Sequence, residues 1–157
     1  MRDLIAAYDR RFAGLYERQR ELISKTDETL LYVRTDAQTP TLLPASVGEF
    51  VLRSAGAVEQ VIGGITTRLW DDPFEWTLPE QLPRRDDVLN YLQEVEENRQ
   101  RGFGFFNDDD DLNKTLPAPV ELRTLRSILD GTLLQEESLM NKASETYLAI
   151  SPHYTQE

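Results

Sequence analysis

Cysteine is absent from this 157-residue chain, and histidine occurs once, as His153 near the carboxy terminus. Without thiols there is no disulfide framework, no thiolate zinc site and no cysteine nucleophile, and the redox compartment is left unspecified. One imidazole also excludes a three-histidine metal centre within a single chain. Long apolar runs are missing as well. The amino terminus Met1-Arg-Asp-Leu-Ile-Ala-Ala-Tyr-Asp-Arg-Arg holds only a short one before charge resumes, too short for a signal-peptide core or a membrane span. The expectation is a cytoplasmic protein with no membrane partner. Positive charge is scarce too: 17 Lys and Arg against 28 Asp and Glu give a net charge of -11. Such a surface repels phosphate backbones, so no nucleic-acid partner is expected. Arg10, Arg11, Arg18 and Arg20 do gather in the first segment, but Asp9, Glu17 and Glu21 are interleaved with them. That alternation reads as a solvated helix face.

What is present suits one folded core. Apolar residues make up 39% and charged residues 29%, with 2 Trp, 6 Tyr and 6 Phe, enough hydrophobic material to offset the entropy of ordering. A single domain over residues 1–150 is expected, followed by a short tail, 151–157.

Helical periodicity dominates. From Asp3 to about Lys25, Leu4, Tyr8, Phe12, Leu15, Tyr16, Leu22 and Ile23 recur at three- and four-residue spacing. Ser24, Thr26 and Asp27 offer capping oxygens for one short turn of helix over Glu28 to Val33, and Thr35 to Pro44 reads as loop. Ser46 with Glu49 makes a capping-box pattern ahead of a second helix, expected from Val47 to Trp70. Gly56, Gly63 and Gly64 in its interior each cost about 1 kcal/mol relative to Ala, which implies close packing against a neighbouring backbone, or a kink.

Pro73, Pro79 and Pro83 mark a loop in which Trp76 can lie over one end of the core. A third helix begins at Arg85 or Asp86, with Val88, Leu89, Tyr91, Leu92 and Val95 as its apolar face and Glu94, Glu96, Glu97 and Arg99 as its wet one, and ends near Gly102 or Gly104. Asn107 to Asn113 reads as an acidic, solvated linker closed by Pro117 and Pro119. The fourth helix carries Leu122, Leu125, Leu129, Leu133, Glu136, Met140, Ala143 and Tyr147 on one stripe. No strand-like alternation stands out. The predicted fold is all-α, a four-helix bundle with a short extra helix and long connecting loops.

Chemical motifs are few. The acidic run Asn107 to Asn113 lacks the spacing of a calcium loop, with Leu112 where a sixth-position Gly is needed. Ser127, Thr132 and Ser138 have no histidine partner to activate a hydroxyl. Gly102-Phe-Gly104 has neither a third glycine nor a preceding strand, and Phe103, Phe105 and Phe106 are read as filling the bundle end. Glu136 falls on the apolar stripe of the last helix, where a carboxylate must be paired, protonated or wet, and a structural hydrogen bond is the preferred reading.

The helix-two entry Pro44-Ala-Ser-Val-Gly-Glu-Phe-Val-Leu-Arg-Ser-Ala and the helix-four run from Leu122 to Lys142 resemble the corresponding segments of the DinB-like family, as do length, helix order and loop placement. That resemblance implies a four-helix bundle, often a homodimer, whose three histidines on helices two and four bind nickel or zinc, with some members similar to thiol-dependent transferases or hydrolases. In the alignment it implies, Arg53 stands at the first ligand position and Gln135 and Leu139 at the other two. A guanidinium cannot ligate, an amide ligates poorly and leucine offers nothing, so no cofactor is expected.

Arg53 would then present a fixed positive charge to the former metal pocket, binding an anion or pairing with Glu136 or Glu137. The plainer reading is an i,i+4 pair with Glu49, contributing about 0.3–0.5 kcal/mol. Together these readings imply a metal-free, non-catalytic homodimer with an interhelical cleft for a small apolar or anionic ligand, built around Arg53, Gln135, Leu139, Glu49 and Glu136. The rival is a metal-dependent transferase or hydrolase using Glu49, Gln135 and Glu136 or Glu137 as oxygen ligands in the same cleft. A third reading is an adaptor whose acidic surface meets a basic partner.

Overall fold

The computed structural model describes residues 1–34, 43–73 and 77–151. The predicted loop over residues 35–42, the placement of Trp76 and the tail beyond Ser151, with His153, lie outside the described residues. The fold is all-α at its core, with four long helices: α1 (Asp3–Lys25), α2 (Val47–Thr67), α3 (Arg85–Phe103) and α4 (Leu125–Ile150). Helix α2 packs chiefly against α4 and α3, and α1 packs against α3 and α4. The core between them is a single cluster, with Ile5, Ile23, Val51, Leu92, Leu129, Leu133 and Met140 all at or below 3% exposure. Among the described residues, no helix is long and apolar enough to cross a membrane.

Caps set the boundaries. Ser46 Oγ accepts from the Glu49 amide at 3.2 Å and opens α2, and Thr124 Oγ1 accepts from the Ser127 amide at 3.1 Å to open α4. Helix α1 has no such device of its own, because Arg2 at its N-cap makes no side-chain cap bond. Its free amides are taken instead by Asp109, whose two carboxylate oxygens accept from Leu4 and Ile5 at 3.1 Å each, while the Asp109 amide donates to the Met1 carbonyl at 2.8 Å.

Several expected elements differ from those found. Helix α2 stops at Thr67 rather than Trp70, since Arg68 turns left-handed (φ 62°) and donates its amide to the Gly64 carbonyl. The extra helix is a single 3-10 turn over Glu28–Leu30, capped by Asp27. The acidic run is not a solvated linker. Asp108 caps a second 3-10 turn, Asp109–Asn113, in which Asp111 is buried and accepts from the Asn107 amide at 2.6 Å.

Two three-residue strands, β1 (Thr115–Pro117) and β2 (Leu122–Thr124), then pair antiparallel with Leu116 opposite Arg123. Leu122 therefore belongs to a strand, 69% exposed, and the buried stripe of α4 starts at Leu125. On α3 the supposed wet face is half wrong, for Glu96 is 7% and Arg99 1% exposed.

The glycines of α2 make room for side chains more than for a neighbouring helix backbone. A Cβ on Gly56 would stand 3.0 Å from Pro73 Cγ, and one on Gly64 would run into the Trp70 ring. One on Gly63 would meet the Leu69 carbonyl, 3.0 Å away. Each contact comes from the chain folding back after the helix ends, with the Trp70 indole donating to the Pro117 carbonyl at 3.1 Å. Phe103 and Phe106 fill the bundle end, in contact at 5.1 Å between ring centres, whereas Phe105 is 73% exposed.

Candidate ligand cleft

Three of the five residues singled out on the sequence meet at one place. Arg53 from α2 and Gln135 and Leu139 from α4 line a cleft of about 260 Å³ between the two helices. Helical geometry brings them there: Gln135 and Leu139 are one turn apart on α4, and α2 lies alongside that helix. Leu52, Ala57 and Leu139 supply apolar wall, and Gln60 and Gln135 supply amides.

The far wall is the chain after α2. Asp72 and Pro73 line the cleft, Pro73 seats against Gly56, and Thr77 Oγ1 donates to the Pro73 carbonyl at 2.9 Å. Gln60 Nε2 donates to the Trp70 carbonyl at 3.1 Å and ties the same segment to α2. The Arg53 guanidinium lies 4.0 Å from the Asp72 carboxylate, a loose ion pair whose arginine is partly exposed. Asp72, Pro73 and Thr77 had carried no sequence signal beyond the proline loop, although Gly56 marks the close approach.

Glu49 and Glu136 do not line this cleft. Glu49 pairs with Arg34 rather than Arg53, accepting two bonds from Arg34 Nη1 at 2.8 and 2.9 Å and a third from Ser46 Oγ at 2.8 Å. This corrects the i,i+4 expectation: the carboxylate closes the α2 cap and fastens Arg34 over it. Glu137 faces Arg11 across to α1 at 3.3 Å. The carboxylates named as metal ligands are thus spread over separate places.

No protein-family model, curated protein or solved structure matches this chain. The site therefore has to be read from its own chemistry. Among the described residues, no group of three or more His, Cys, Asp or Glu side chains is arranged to hold a metal ion.

Glu136 points into the bundle interior. Its side chain lies 1% exposed in a cavity of about 10 Å³ shared with Tyr16, Gln19, Glu96 and Arg99. Oε1 accepts from Gln19 Nε2 at 3.3 Å, the structural hydrogen bond expected from the sequence, and Gln19 also donates to Ser54 Oγ at 2.9 Å. Oε2 has no hydrogen-bond partner among the described residues.

Arg99 holds the facing charge. It donates to Glu96 through Nε at 2.9 Å and to Asp9 through Nη1 at 2.7 Å, and its guanidinium stands 5.0 Å from the Phe103 ring centre. Burial works against that charge, but the bonds Arg99 donates to Glu96 and Asp9, with the attraction of their charges, outweigh it and hold the Arg99 pKa above its ordinary value. The sequence hid Gln19, Glu96 and Arg99 because charged and amide residues on amphipathic helices are usually wet.

Proposed function

We propose that this chain is a metal-free, non-catalytic protein of the DinB-like type, acting in the cytoplasm as a homodimer, whose α2–α4 cleft binds a small molecule with an apolar body and an anionic edge. The convergence of Arg53, Gln135 and Leu139 on one cleft carries this reading. Arg53 offers a forked cation for a carboxylate, Gln135 and Gln60 flank it with amides, and Leu52, Ala57 and Leu139 suit a short hydrocarbon. A volume of about 260 Å³ limits the ligand to something small. With the Thr77 hydroxyl donated to a carbonyl and no imidazole or thiol at the walls, the described lining groups serve binding better than bond-making. Nucleic acid does not enter this reading, given the net charge of -11.

The test is a titration of the full chain with butyrate, benzoate and their amides, followed by backbone NMR shifts. Carboxylates should move resonances of α2 and α4 around Arg53 and Gln135, and amides should bind more weakly. Arg53→Gln should weaken carboxylate binding by at least about tenfold, since a hydrogen bond to a charged group contributes about 1.5–3 kcal/mol. Shifts located elsewhere, or equal affinity in Arg53→Gln, would sink the anion-binding cleft.

A further inference from the structure

A second polar locus lies inside the bundle, separate from the cleft. Three carboxylates, Asp9, Glu96 and Glu136, surround one arginine, and the bonds of Arg99 go to the first two only. Among the described residues Glu136 is thus a fully buried acid that has one amide bond and no ion pair, its Oε2 is unpartnered, and its side chain lines a cavity with room for at most one water. A carboxylate in that setting is stable only when neutral or when water reaches it.

We propose that Glu136 is a proton-operated latch: as a neutral acid it closes the centre of the bundle, and its ionisation drives α4 to open locally from α1 and α2, the helices it packs on, and admit water. The groups facing it are few. Gln19 and Tyr16 come from α1, Ser54 from α2 through the Glu136 carbonyl at 3.5 Å, and Glu96 and Arg99 from α3. Glu137, next to it on α4, is turned to Arg11, and Asp9 acts through Arg99. Burial pushes Glu136 well above the usual carboxylate range and the Glu96 charge adds to the shift, against lowering by Arg99. A raised acid in the folded state keeps its full stabilisation below the free-glutamate pKa of about 4.3 and loses it as pH rises toward its own value.

Two readouts on the intact chain test the latch. The 13Cδ shift of Glu136, followed from about pH 4 to about pH 9, should titrate well above the free-glutamate value of about 4.3. A midpoint near that value would overturn the latch. Hydrogen exchange of the α4 amides around Glu136, corrected for intrinsic rates, should report an opening constant that rises by up to about tenfold per pH unit between those two values.

Glu136→Gln should abolish that slope and leave the amides more protected at neutral pH. Equal slopes in both proteins would overturn the latch even if the midpoint is raised. Should Glu136→Gln fail to fold, Glu96→Gln supplies the opposing test. Removing the facing negative charge should lower the Glu136 midpoint, and an unchanged midpoint would overturn the proposal.

Discussion

Truncating Arg99 to methionine is expected to destabilise the bundle by about 3–5 kcal/mol in urea denaturation, because it leaves Glu96 buried without its counter-charge. The double change Arg99→Met, Glu96→Gln should recover much of that loss, since it removes both ends of the pair. Asp9→Asn should cost far less, as the Asp9 side chain is 52% exposed and keeps its water. Tyr8 gives a prediction at alkaline pH. Burial, and then its 2.6 Å hydrogen bond to Asp130, raise its pKa from 10.0 to about 12. The phenol is neutral in the folded state, so its stabilising effect is complete below pH 10 and is lost as pH climbs toward 12. Burial also raises Tyr16, Tyr32 and Tyr91, so phenolate absorbance at alkaline pH should show several late tyrosines, of which Tyr8→Phe should remove one.

At the level of elements, periodicity made the four helices legible, because an apolar stripe is a strong and redundant signal. Ser46 and Glu49 announced the start of α2 for the same reason: the cap is built from adjacent residues. What stayed hidden was long-range. Asp109 on the start of α1 and Gln19 on Glu136 join positions whose pairing no local pattern encodes, and the β1–β2 hairpin is too short for alternation to register.

Ser46→Ala should cost about 1 kcal/mol, the usual value of an N-cap, with the loss concentrated in α2 amide protection. Gly64→Ala sets two effects against each other. Helix propensity favours the methyl by about 1 kcal/mol, but the rigid Trp70 ring occupies its place. The clash should win, giving a less stable protein whose tryptophan emission shifts to the red as the indole leaves α2.

For the whole molecule, the resemblance read from sequence concerned layout, and the candidate site was legible only where that layout mattered. Arg53, Gln135 and Leu139 share a cleft because they are fixed by helix register, while Asp72 and Pro73 reach it from a loop that periodicity does not describe. Restoring ligands tests that register directly. Arg53→His, Gln135→His and Leu139→His together should create micromolar or tighter nickel or zinc binding by calorimetry, and no heat of binding would mean the three positions do not converge as ligands. If the proposed dimer forms, the protein should sediment at twice 18.1 kDa at micromolar concentration; a single-chain mass would remove dimerisation from the proposed function.

The way α1 begins bears on how the chain is made. Its first amides are capped by Asp109, about 105 residues downstream. At ordinary translation speed that carboxylate leaves the ribosome about ten seconds after the helix it completes. Helix α1 thus waits with a frayed start, and it is finished only when the 3-10 turn folds back to meet it.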